Sequence, residues 1–347
     1  EMIFNSTTDK VEYWDGTKWY GITYESTGES PYNNVIWSGS GSSSKSNTGL
    51  GFQPDLVWVK ARQAQNHTLY DSIRGTGKYL ASDTTNSENS NTTYGQLTSF
   101  DADGFTGSLG SNGTYSFFNS SSQTYVAWCF KAGGAAVSNT DGSITSQVSA
   151  NVAGGFSIVK WTANGSANDQ LGHGLSSVPK IIIYKTLDTA SDWWTLTTAI
   201  DGSLDFLKLN SNASKGDQSG VTISNTTIPN WNFSGTNMIA YCFHSVAGYS
   251  KVGSYTGNGN STGTIVTLDF APSFVMIKGT DQTSDWIMID NKRDTTNPNS
   301  ARLDANSAGA EYNGEDIMDL NSNGFQLKTS SASKNGLNKV FIYMAFA

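Results

Sequence analysis

Three stretches of the chain carry one pattern of apolar and polar positions: Pro54-Asp55-Leu56-Val57-Trp58-Val59-Lys60, Pro179-Lys180-Ile181-Ile182-Ile183-Tyr184-Lys185 and Pro272-Ser273-Phe274-Val275-Met276-Ile277-Lys278. Each reads proline, one variable residue, four apolar or aromatic residues in a row, then lysine. Proline is tolerated at the first position of a strand, and a run this short and this rich in β-branched and aromatic side chains is no helix, so the pattern predicts a strand. Because the apolar positions are consecutive rather than alternate, that strand should be buried on both faces. A second shared segment closes each unit, at Tyr125-Val126-Ala127-Trp128-Cys129-Phe130, Met238-Ile239-Ala240-Tyr241-Cys242-Phe243 and Phe341-Ile342-Tyr343-Met344-Ala345-Phe346. The closing phenylalanine follows the proline by 76, 64 and 74 residues. The units therefore share their apolar ends and vary the middle, as loops do.

Taken in order, residues 1–26 predict a small β-meander, with a tight Asp15-Gly16 turn between aromatic strands. Residues 27–134 form repeat 1, 135–153 a Gly/Ser/Ala-rich linker, 154–246 repeat 2 and 247–347 repeat 3. The short connection before Tyr249 should hold repeats 2 and 3 rigidly together, and the longer linker should join repeats 1 and 2 more loosely. An apolar i, i+3, i+4 pattern never persists for three turns. The expected fold is all-β, with three tandem antiparallel β-sandwich-like repeats behind the N-terminal meander. Because the chain opens at Glu1 rather than at a methionine, residues upstream are expected.

Length alone would suggest about two domains, but the repeat outranks that prior. Charged residues make up 14%, against the usual ~25%, and the formal net charge is −8 with no Lys/Arg cluster. Such a chain repels phosphate backbones and anionic membranes, so neither nucleic acid nor membrane insertion is an expected partner. No run of 18 apolar residues is present. Cys129 and Cys242 occupy the same place in successive repeats where the third has Ala345, which reads as two buried free thiols. A disulfide between them would need their strands side by side.

The candidate chemistry is thin. His67, His173 and His244 fall at unrelated repeat positions without metal-ligand spacing. Gly75-Thr76-Gly77-Lys78 is a fragment of a phosphate loop, Gly248-Tyr249-Ser250 lacks the second glycine of a nucleophile elbow, and Asp101-Ala102-Asp103-Gly104 starts a calcium loop whose glutamate position is Gly110. All three read as turns. No catalytic, metal or cofactor-binding residue is assigned, and no cofactor is expected.

One pattern suggests contact with a partner. Lys185 and Lys278 are followed seven and eight residues on by Asp192-Trp193 and Asp285-Trp286, while repeat 1, one residue shorter, has Asn66-His67 there. As exposed aromatics with polar neighbours, Asp192, Trp193, Asp285, Trp286 and His67 would suit a glycan or protein surface. As strand residues, the tryptophans would simply lie in the core. On the first reading the hairpin tips 188–191 and 281–284 carry binding, and deleting either should leave folding intact.

Finally, Gly51-Phe52-Gln53-Pro54-Asp55-Leu56-Val57-Trp58-Val59-Lys60, Asp71-Ser72-Ile73-Arg74-Gly75 and Tyr125-Val126-Ala127-Trp128-Cys129-Phe130-Lys131-Ala132-Gly133-Gly134 resemble a repeated domain of tail-fibre and other virion proteins of tailed phages, many of them marine. Asn139-Thr140-Asp141-Gly142-Ser143-Ile144-Thr145-Ser146 and Gly172-His173-Gly174-Leu175 add to the resemblance, which covers about residues 45–347. It implies a non-enzymatic structural role on the virion, in a tail fibre or as capsid decoration. Other virion proteins and further copies of the chain are the expected partners, with host-surface glycans as a candidate contact. The alternative is an extracellular carbohydrate-binding module or carbohydrate-active enzyme.

Overall fold

The computed structural model describes residues 2–5, 10–14, 16–17, 19–22, 30–90, 92–166, 168–231 and 234–347. The N-terminal stretch is a three-stranded antiparallel meander of β1 (Met2–Asn5), β2 (Lys10–Trp14) and β3 (Trp19–Ile22).

Unit 1 contains β4 (Tyr32–Ser38), β5 (Ser44–Thr48), β6 (Leu56–Ala61), β7 (Thr68–Asp71), β8 (Leu97–Asp101), β9 (Gly104–Ser108) and β10 (Thr124–Phe130). Its main sheet runs β4-β10-β6-β7, and a smaller sheet, β5-β9-β8, caps it. β11 (Val137–Asn139) and β12 (Ser146–Asn151) follow, then unit 2 with β13 (Phe156–Asn164), β14 (Gln170–Gly172), β15 (Ile181–Thr186), β16 (Trp194–Thr197), β17 (Asp205–Lys208), β18 (Gly216–Asp217), β19 (Thr227–Pro229) and β20 (Ser234–Phe243). Its main sheet contains β13-β20-β15-β16, the order seen in unit 1. Unit 3 contains β21 (Ser250–Thr256), β22 (Ile265–Thr267), β23 (Phe274–Gly279), β24 (Ile287–Asp290), β25 (Leu303–Asp304), β26 (Met318–Asn321), β27 (Gly324–Leu327) and β28 (Val340–Phe346). Its order is again β21-β28-β23-β24, capped by β22-β27-β26. The expected all-β fold is present, and α1 (Ala332–Asn335) is a single turn.

The proline-to-lysine strands lie inside their sheets, with β6, β15 and β23 buried at every position. Period-2 geometry sends alternate side chains to opposite faces. Leu56, Trp58, Ile181, Ile183, Phe274 and Met276 enter one core shared by all three units, while Val57, Val59, Ile182, Tyr184, Val275 and Ile277 enter three separate cores beneath the caps. Continuous apolar sequence is thus needed because each strand faces two interiors. The shared core is centred on the three closing phenylalanines: the ring centroid of Phe130 lies 5.6 Å from that of Phe243 and 5.1 Å from that of Phe346, and the latter two are 6.0 Å apart. Each such ring removed from water stabilises the fold by about 1.5–3 kcal/mol.

Two organisational expectations are corrected. The stretch 135–153 is no free linker, since β11 and β12 extend the sheet of unit 2 through pairs such as Val148 with Val159. Nor is unit 1 loosely joined. Its Arg62 meets Glu311 of unit 3 through Nε at 2.9 and 3.0 Å, and Glu311 N donates to Arg62 O. Contacts between the chain's first and last units close the three into a ring, which connection length could not reveal.

The caps differ for a readable reason. In units 1 and 3 the hairpins β8-β9 and β26-β27 turn at Asp103-Gly104-Phe105 and Asn323-Gly324-Phe325, where the glycines have φ of +155° and +141°. A Cβ would come within 1.9 Å of Asn47 O or 2.0 Å of Val266 O, so only glycine fits. Unit 2 has Asn225-Thr226 before β19, with Pro229 at its end, and its cap is the two-stranded β14-β19.

Candidate functional site

His67, Trp193 and Trp286 occupy one structural position, immediately before β7, β16 and β24, and it faces inward. Their exposures are 0%, 0% and 1%. Each ring reaches across to a neighbouring unit: Trp193 Nε1 donates to Ala81 O of unit 1 at 2.8 Å and Trp286 Nε1 to Lys208 O of unit 2 at 2.9 Å. His67 Nε2 lies 3.0 Å from Asp304 O of unit 3, and its Nδ1 accepts from Trp58 Nε1 at 2.9 Å. Nδ1 as acceptor makes Nε2 the N–H, so the ring is neutral. Burial, reinforced by the nearby Lys60 charge, holds its pKa well below the usual histidine value. The reading of these three rings as exposed contacts is therefore corrected: they are ties between units and present nothing to a ligand. Asp192 and Asp285 keep partial exposure, but Asp192 is bonded to Lys208 at 2.6 Å and Asn210 at 2.9 Å, and Asp285 to Arg302 and Asn306, both at 2.9 Å.

The motif lysines follow the same cycle. Lys60 Nζ donates to Gly309 O of unit 3 at 3.0 Å, Lys185 Nζ to Thr85 O of unit 1 at 2.9 Å, and Lys278 Nζ to Asn212 O of unit 2 at 3.3 Å. Each is also bonded to a carbonyl of its own hairpin, and burial pulls each down to a pKa of about 8. The hairpin tips share in this joint: Ser191 N donates to Thr85 O and Ser284 N to Asn212 O, while Asp188 accepts from Asn237 N at 2.7 Å. The tips thus hold structural bonds, and their loss is expected to affect folding, where the sequence alone led to the opposite expectation.

A third layer uses ions. Asp71 pairs with Arg74, and Asp290 with Arg293 at 2.6 Å, all four fully buried at their side chains. Tyr241 Oη donates to Asp71 at 2.8 Å and Trp128 Nε1 to Asp290 at 3.1 Å, again between units. Sequence reading also missed Asn119, Asn230 and Asn335, each fully buried just before its closing strand and pinning the turn after its opening strand, through Ser42 O, Ser166 O and Asn260 O. Their shared signal is an asparagine several residues before each closing segment.

The remaining motifs are turns. Asp103 accepts from Gly49 N and Gly51 N, and Lys78 pairs with Glu88 at 3.3 Å. His173 contacts Ser224 O and His244 contacts Ser245 O. Among the described residues no three His, Cys, Asp or Glu side chains group as metal ligands. Cys129 and Cys242 are free and buried in different outer cores, with burial pushing the first thiol well up and the second to about 12.

Part-exposed aromatic groups occur in two units: in unit 1 Tyr94 lies 5.5 Å from Tyr115, and the second group is in unit 2. Trp194, the residue after the inward Trp193, is part-exposed beside the part-exposed Phe206 and Trp231, with centroids 5.5 Å and 5.1 Å away.

Residues 28–347 match a family described as a domain of unknown function (DUF7483). The chain belongs to this family. No curated protein and no solved structure matches it. The matched span begins after the meander and takes in all three units, so the whole ring corresponds to one family domain.

Proposed function

We propose that the chain is a non-enzymatic virion structural protein of a tailed phage, a tail-fibre or capsid-surface component assembled in several copies with other virion proteins and able to touch host-surface glycans. The resemblance of its repeat segments to virion domains motivates the reading. The observation that carries it is how three of the buried carboxylates are used: Asp71, Asp290 and Glu311 are each paired with an arginine at a joint of the ring. Carboxylates committed to cations in this way hold a scaffold together and are poorly suited to general acid–base work. Locating the chain in a reconstruction of the phage particle tests the proposal. Density for the three-unit ring on tail or capsid is the expected result. Polysaccharide cleavage that disappears on changing one Asp or Glu would overturn it.

A second reading, an extracellular carbohydrate-binding module, is favoured by the part-exposed rings of Trp194, Phe206 and Trp231. Both readings share the glycan contact and differ in whether the protein belongs to a particle.

A further inference from the structure

The outer face of each main sheet is covered differently. Three-stranded caps lie over units 1 and 3, whereas unit 2 has only the three-residue strands β14 and β19. One aligned position reports the consequence: Thr68 and Ile287 are 1% and 0% exposed, while Trp194 is part-exposed. The ring centroids of Phe206 and Trp231 are 6.1 Å apart, completing a patch of three rings in mutual contact. Lys208 Nζ lies over one face of the Trp194 ring, 4.7 Å from its centroid, and is neutralised by Asp192 at 2.6 Å, so the patch is electrically balanced and a ligand would have to use the other face. Trp231 holds φ of +45°, a conformation that costs a bulky residue energy and that persists only where its surroundings impose it.

We propose that Trp194, Phe206 and Trp231 form a stacking site for a neutral saccharide ring. The proposal rests on the glycan-contact reading above and gives it an address. Flat rings match the C–H face of a sugar. Its hydroxyls need uncharged donors and acceptors, and the stretch 209–226, whose Gly216 packs on the Phe206 ring, is rich in Asn, Ser, Thr and Gly. A charged ligand would find no net charge to answer it. A peptide extending the short cap would have to pair along β19, where Pro229 has no N–H to give.

The test is titration of the full chain with a panel of neutral oligosaccharides built from glucose, galactose, mannose and N-acetylglucosamine, followed by intrinsic tryptophan fluorescence and calorimetry. The variants are Trp194→Ala, Phe206→Ala and the conservative Trp194→Tyr, with Tyr312→Ala, an exposed ring of unit 3, as control. Binding by the parent protein, weakened about tenfold or more in both alanine variants, retained in Trp194→Tyr and untouched in Tyr312→Ala, is the expected result. Bound saccharide should also protect Trp194 from oxidation by N-bromosuccinimide, a readout on the folded parent protein. Parent binding that survives Trp194→Ala with Trp194 unprotected overturns this site and leaves the glycan reading standing. Absence of binding to every member of the panel overturns both. Concentration-dependent shielding of Trp194 without sugar would mean that a second copy covers the patch, and would likewise overturn the proposal.

Discussion

Tyr241 of the second unit donates its phenolic hydrogen to Asp71 of the first at 2.8 Å, and Trp128 of the first donates its indole N–H to Asp290 of the third at 3.1 Å. The third joint breaks the series. At the place of Tyr241 and Trp128 unit 3 has Met344, which has no donor, and the position of Asp71 and Asp290 in unit 2 is Thr197, whose hydroxyl turns to Lys180 O at 2.7 Å. Ile200 stands where the other units have arginine. At this position two joints hold a buried ion pair, and the third has Met344, Thr197 and Ile200 in its place.

Asp71→Ala should therefore cost about 3–5 kcal/mol, because Arg74 is left buried without its counter-charge. Tyr241→Phe removes one donor of several and should cost about 1–3 kcal/mol. Copying the third joint into the first, as Tyr241→Met with Asp71→Thr and Arg74→Ile, should recover much of the single-mutant loss. Urea midpoints across this series measure it.

The lysines set the alkaline behaviour. Folded Lys60, Lys185 and Lys278 lose their protons near pH 8, against 10.5 for an ordinary lysine. Between about pH 8 and 10 the unfolded chain binds more protons, so stability should rise with pH across that window. Above it the sign reverses, since buried tyrosines such as Tyr32 and Tyr184 keep protons that an unfolded chain releases. Neutral His67 acts at the other end: stability should fall as pH drops through about 6.5, where only the unfolded imidazole takes up a proton freely. Urea midpoints from pH 5 to 10 test both limbs, and Lys60→Met should reduce the alkaline rise.

Trp193→Phe and Trp286→Phe should each destabilise by about 1–3 kcal/mol, because a bond between units is lost, although Ala81 O keeps Thr84 N and Lys208 O keeps Ser211 N as donors. Saccharide affinity of the folded fraction should not change. Calorimetric unfolding alongside the titration described above separates the two effects.

Removing residues 188–191 should lower the melting temperature measurably, since Asp188 and Ser191 lose their bonds to Asn237 and Thr85 and Lys185 loses Ser191 O. A change confined to adsorption, with the thermal transition intact, would contradict the structural role of the tip.

Thiol reagents should reach Cys129 and Cys242 only on unfolding. Replacing either by alanine, the residue at position 345, should cost about 1 kcal/mol or less when the small outer core readjusts. Labelling rates in native buffer and in urea check this.

Local pattern determined a good deal. A proline followed by four apolar residues fixed the strand, and consecutive rather than alternate apolar positions required two buried faces, which β6, β15 and β23 have. The same place in each repeat marked Cys129, Cys242 and Ala345 as small buried residues. What the sequence could not decide is which way a residue faces once units meet. Trp193 and Trp194 are adjacent and chemically identical, and the pleat sends one into the shared core and the other, part-exposed, against the outer core of unit 2. Lys60 looks like a solvated strand end, yet beside the carbonyls of its own hairpin Gly309, 249 residues away, supplies an acceptor. Ring closure joins positions with no local relation in the chain, so the interfaces, and with them the roles of His67, Trp193 and Trp286, exist only in the tertiary structure.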